Sequence, residues 1–88
     1  MAAEKDVIMG RFFFDISNGD GDSTDDDGVE FPTAAAAEDE LAKVLGDVVR
    51  EAVVRERNGR VVVRVRDESG NVCMKGMLDF AIENLPTS

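Results

Sequence analysis

The side chains best equipped for chemistry in this sequence are acidic and crowded into one stretch: Asp20, Asp22, Asp25, Asp26, Asp27 and Glu30. Carboxylate oxygens at such density are the ligands that calcium and magnesium select. The spacing departs from the EF-hand loop, however. Counted from Asp20, the sixth position, which must be glycine, is Asp25; the apolar eighth is Asp27 and the bidentate twelfth is Phe31. Counted from Asn18, the sixth is Ser23 and the twelfth is Val29. Two readings follow. One is a divalent-cation site built on Asp20, Asp22, Asp25, Asp26 and Asp27. The other is a solvated acidic loop whose charges keep a neighbouring sheet edge from pairing with other chains.

Inventory removes most other chemistry. The chain has no histidine and one cysteine, so Ser/His and Cys/His nucleophile pairs and zinc sites of the Cys/His type are excluded, as is an intramolecular disulfide. Cys73 as a nucleophile would need a cation beside it, and Lys75 is two positions along; the plainer reading is a small apolar side chain at a buried or interfacial position. Paired carboxylates can exchange protons in catalysis only where a pocket drives their pKa values apart. A domain of 88 residues leaves little room for one. No catalytic residue is assigned, no cofactor is expected, and the chain is expected not to be an enzyme.

The net charge is −9, unevenly placed. From Asp15 to Asp47, eleven acidic residues stand against Lys43; from Arg50 to Arg66, six arginines stand against Glu51 and Glu56. The acidic excess opposes binding to polyphosphate. Arg55, Arg57, Arg60, Arg64 and Arg66 have no useful aromatic interleaving, so nucleic acid is not an expected partner. No apolar run is long enough to span a bilayer, and the first residues lack a secretory layout. With its free thiol, the chain is expected in the cytoplasm.

The elements that would position these residues follow from periodicity. Arg11–Ser17 alternates, with Phe12, Phe14 and Ile16 on one face and Phe13 and Asp15 on the other, which predicts a strand. Asn18–Asp27 is turn-forming, with room for a short edge strand near Ser23 and Thr24. The spacing of Ala34, Ala37, Leu41, Val44, Leu45, Val48 and Ala52 predicts a helix over Thr33–Arg57, capped by Thr33 after Pro32. Asp39/Lys43 and Glu51/Arg55 are favourable i,i+4 pairs, while Gly46 costs about 1 kcal/mol relative to alanine. Asn58-Gly59 is expected to end the helix with glycine in the left-handed conformation. A strand from Arg60 buries Val61, Val63 and Val65, turns through Glu68–Asn71 with Gly70 at positive φ, and returns as Val72–Ile82. Val72, Met74, Leu78 and Phe80 are expected to face the helix. Gly76, on that same inner side, marks a bulge or a close helix approach.

That order defines an α+β fold: one amphipathic helix packed on a mostly antiparallel sheet of three or four strands. The expected boundaries are an extension over 1–8, a single domain over 9–83 and a frayed tail over 84–88, with Met1 and Met9 both open as starts. On the far face of the sheet stand Phe13, Val62, Arg64, Arg66, Cys73 and Met77. Their apolar members suggest an interface between two copies, against the plainer reading that aromatic and valine residues favour pleated surfaces. Arg64 and Arg66 are expected to pair across strands with Asp79 and Asp15.

The strings MGRFFFDISNGDG, DDDGVEFPTAAAAEDELAKVL and VVVRVRDESGNV, in that order, resemble a family of short uncharacterised proteins abundant in rhizobia and related alphaproteobacteria, a domain of unknown function. The resemblance covers Met9 to about Phe80. The chain departs from that family's pattern in its eight-residue leader, in Phe31 where leucine is usual, and in Thr33 where aspartate often caps the helix. The resemblance implies a small αβ protein of bacterial origin and brings no established activity. The function expected is a non-catalytic interaction module whose partner is a second copy of the chain or another, unidentified protein. The alternatives are an antitoxin-like or regulatory partner protein and a divalent-cation binder.

Overall fold

The computed structural model describes residues 10–19 and 21–87. The extension over 1–8, Met9, Asp20 and Ser88 lie outside them. Among the described residues, five strands and one helix run in the order β1 (Gly10–Ser17), β2 (Asp22–Ser23), β3 (Val29–Phe31), α1 (Ala34–Glu56), β4 (Asn58–Arg66) and β5 (Val72–Ala81). The fold is α+β, with α1 laid on one face of an antiparallel sheet. The strand count exceeds the three or four expected, because Val29–Phe31 pairs with β1 instead of merely leading to the helix.

The sheet is built outward from β1 and β4. Phe13 lies opposite Arg66, Asp15 opposite Arg64 and Ser17 opposite Val62. β5 continues the sheet beyond β4, with Val61 opposite Leu78, Val62 opposite Met77, Val63 opposite Gly76 and Arg64 opposite Lys75. The other side of β1 is shared: β2 pairs with its C-terminal end and β3 with its N-terminal end. The spatial order is therefore β2 and β3, then β1, β4 and β5.

Alternation along the strands and the 3.6-residue stripe of the helix meet in one core. Phe12, Phe14, Ala37, Leu41, Ala52, Val61, Val63 and Val65 are buried, and Ile16, Phe31, Val44, Leu45, Val48, Met74 and Phe80 pack around them. Phe31 stands edge-on to Phe14 at 6.0 Å, an arrangement that aromatic quadrupoles favour. A Cβ added at Gly76 would lie 3.1 Å from Leu45 Cδ2 and 3.2 Å from Leu41 Cδ1. Of the two expectations for Gly76, close approach of the helix is the one realised; the strand irregularity falls elsewhere.

The helix begins as its sequence requires, with Thr33 Oγ1 accepting from the Ala36 N–H at 3.0 Å. It ends one residue earlier than expected. Arg57, at φ 68°, takes the left-handed turn and donates its N–H to Val53 O, so Asn58 and Gly59 already belong to β4. The chain leaves the helix directly into a strand paired with β5, and that pairing dictates where the reversal falls. The Ile82 N–H donates to Arg57 O at 2.7 Å just beyond the ladder. In the β4–β5 turn the Asp67 carboxylate accepts from the N–H groups of Ser69 and Asn71, with Gly70 at φ 88°. Residues 82–87 carry no helix or strand.

Candidate functional site

The outer sheet face is ruled into rows by the register. Phe13 and Arg66 form one; Asp15, Arg64 and Lys75 the next; then Ser17, Val62 and Met77; then Arg60 and Asp79. Arg66 lies over the Phe13 ring at 5.0 Å and donates to Asp15 through Nε (2.6 Å) and Nη2 (3.1 Å). Arg60 grips Asp79 in the same two-pronged way, at 2.6 and 3.1 Å, but in solvent. Of the two aspartates expected to pair with Arg64 and Arg66, Asp15 is held by Arg66, whereas Asp79 belongs to Arg60 and to neither of them. Each carboxylate titrates below its usual range because an arginine donates to it, Arg66 to Asp15 and Arg60 to Asp79. The charged row through Asp15, Arg64 and Lys75 separates Phe13 from Val62 and Met77, so the apolar residues of this face do not form one patch.

Cys73 is not on this face. The register slips between Val65 and Arg66, so that Arg66 lies opposite Val72 while Val65 lies opposite Met74. Cys73 is the extra residue of that bulge. It lines an open cleft of about 450 Å³ with Phe12, Ala34, Ala35, Glu38, Asp67 and Met74, at the helix end of the sheet. The slip likewise takes Val72 out of the inner-face alternation expected for it. The Cys73 thiol donates to Val65 O at 3.5 Å, and burial, seconded by the Asp67 charge, pushes its pKa up. That is opposite to what a nucleophile needs.

The acidic loop has a structural task. Among the described residues no strand covers the middle of β1 between β2 and β3, and a backbone N–H left there would lack an acceptor. Asp25 supplies it: Oδ2 accepts from the Phe14 N–H at 3.1 Å, and Oδ1 accepts from the N–H groups of Asp27 (3.1 Å) and Gly28 (3.0 Å). Burial raises the Asp25 pKa, but donation from Gly28, Phe14 and Asp27 outweighs it and leaves the group below its ordinary value. The loop is tied back by the Asp25 N–H to Asp15 Oδ1 (3.0 Å) and by Arg66 Nη2 to Asp25 O (2.8 Å). Gly28, at φ 70°, closes it; a Cβ there would meet Arg11 Cγ and Phe13 Cε2 at 2.8 Å. Asp22, Asp26, Asp27 and Glu30 are exposed, and Glu30 reaches Arg11 at 3.6 Å. Among the described residues no three acidic, cysteine or histidine side chains converge as a metal site.

The two edges of the sheet differ. At one, two short strands and the acidic loop cap β1. At the other, nothing among the described residues pairs with the free side of β5, which is ten residues long and contains no proline. Val72 (55% exposed), Met77 (46%), Leu78 (41%) and, just past the strand, Ile82 (52%) line it. Periodicity marks which β5 residues face inward or outward but carries no sign that β5 is an edge; only the strand order makes Leu78, opposite fully buried Val61, an exposed residue.

One helix on an antiparallel sheet, with a capped edge and an open one, defines a small two-layer α+β domain. The chain belongs to the family described as domain of unknown function DUF6894, whose model matches residues 11–79. No curated protein and no solved structure matches it. No helix among the described residues is long and apolar enough to cross a membrane.

Proposed function

We propose that the chain is a non-catalytic protein-interaction module, working in the cytoplasm, that binds its partner along β5 and the adjoining outer-face row of Val62 and Met77. The observation that carries this reading is the open edge itself. Sheets in proteins that stay free of partners blunt their edges with short strands, charges, proline or bulges; here the β2 and β3 side has the first two, and β5 has little beyond one lysine, one aspartate and a bulge at its start. An extended, apolar edge is the template that strand addition uses, with main-chain hydrogen bonds supplying affinity and side-chain rows supplying specificity.

The absence of catalysis is supported by the state of the ionisable groups. Asp15 and Asp25 are engaged as acceptors and shifted downward, whereas a general acid at neutral pH needs a raised carboxyl. The test is photocrosslinking in cells from benzoylphenylalanine placed at Met77, with the same group at Val54, which is 69% exposed on the helix, as control. A discrete adduct from position 77 and none from position 54 is expected. Adducts from neither position, or equally from both, contradict the reading.

A further inference from the structure

The partner of the open edge can be identified from the residues along it. Resting on the interaction-module reading above, we infer that β5 pairs antiparallel with β5 of a second copy of this chain, about a two-fold axis through Met77. In such a pairing residue positions sum to a constant across the axis, and outer-face residues must meet outer-face residues for the two helices to lie on the same side. Every register centred on a residue meets that condition, so the side chains must choose among them. Centring on Lys75 sets two lysines face to face, and centring on Asp79 sets two aspartates face to face. Centring on Gly76 places Lys75 opposite Met77 and leaves Asp79 opposite the bulge at Cys73. Centring on Leu78 places Asp79 opposite Met77 and Lys75 opposite Ala81. Centring on Met77 alone puts Lys75 opposite Asp79 of the second copy and, by symmetry, Asp79 opposite Lys75.

The rest of that register is compatible. Met77 meets Met77, Gly76 meets Leu78 and Met74 meets Phe80, so exposed Met77 and Leu78 leave water together. Lys75 makes no ion pair among the described residues, and Asp79, held on one side by Arg60, stands in solvent. The opposite edge is interrupted and acidic, so a head-to-tail chain of sheets is not the outcome; like edges meet and the assembly closes at two. The loop carboxylates stand about three strand spacings from β5, roughly 14 Å, beyond the screening length of about 8–10 Å at physiological ionic strength. Their repulsion therefore does little at the joint.

The test uses two single variants of the full chain, Lys75→Asp and Asp79→Lys, whose folding is checked by circular dichroism, with dissociation constants from sedimentation equilibrium. Each variant alone sets like charges opposite twice per dimer and is expected to associate roughly tenfold more weakly than the parent. Mixed together, the two set Asp opposite Lys at both positions and recover the parental affinity as a heterodimer. A parent chain that stays monomeric at millimolar concentration overturns the inference, as does association that ignores the single changes or a mixture no tighter than its components. A crosslink from position 77 to a different protein overturns it too, while leaving the interaction-module reading standing; loss of the crosslink overturns both.

Discussion

Arg66 reaches diagonally from β4 to Asp15 on β1 with two hydrogen bonds, at 2.6 and 3.1 Å, and the same guanidinium also donates to Asp25 O. One side chain thereby joins the centre of the sheet to the loop that caps its edge. Arg66→Lys keeps the charge but loses the planar fork that fits a carboxylate. Its urea midpoint is expected to fall well below that of Arg60→Lys, because the Arg60–Asp79 pair is the more exposed of the two. Equal midpoints would show that the loop attachment contributes nothing.

Asp25→Ala leaves the Phe14 N–H without an acceptor and frees the turn at Asp27 and Gly28, and is expected to cost about 2–3 kcal/mol in chemical denaturation. Asp26→Ala, in the same loop but exposed, is expected to stay within about 0.5 kcal/mol of the parent. Similar losses from the two would remove the special role given to Asp25.

Stability depends on pH through Asp15 and Asp25. Both are shifted below their ordinary value in the folded chain, Asp15 by donation from Arg66 and Asp25 by backbone N–H groups that outweigh its burial. Their contribution is complete above the unfolded aspartate pKa of about 3.9 and is lost as pH falls through the lower folded values. Urea midpoints of the parent should fall across that acidic window, and those of Asp25→Asn should start lower and fall less. A flat parental profile contradicts the assignment.

Two glycines should respond in opposite directions. Gly46 has open space around it within α1, so Gly46→Ala is expected to stabilise by about 0.5–1 kcal/mol. Gly76 faces Leu41 and Leu45 at 3.1–3.4 Å, so Gly76→Val overpacks the helix–sheet contact and is expected to cost about 1–3 kcal/mol. Thermal or urea denaturation of both variants checks the pair.

Local pattern carried the elements, and long-range pairing decided their use. Phe12 and Phe14, the valines at 61, 63 and 65, and the helical stripe through Leu41 state their own periods, so strand, helix and hairpin were legible from the sequence. Five aspartates in one loop look alike in sequence; Asp25 differs only because the gap between β2 and β3 opens beside the Phe14 N–H. Asn58-Gly59 looked like a helix stop, yet pairing with β5 drew both residues into β4 and left the reversal to Arg57. Cys73 alternated correctly with Lys75 and Met77 until the bulge opposite Val65 and Arg66 moved it to the helix side. The candidate edge could not be found locally, because strand order is a property of the whole sheet.

The free side of β5 is tested most directly by residue-resolved amide hydrogen exchange as protein concentration is raised. Alternate residues of an edge strand point their N–H groups away from the one strand they pair with, and these exchange quickly when nothing covers them. The expected result is that the outward amides between Met74 and Phe80 become protected with concentration while those of β2 and β3 do not change. Outward β5 amides that exchange at one fast rate at every concentration would contradict pairing of this edge with a second copy.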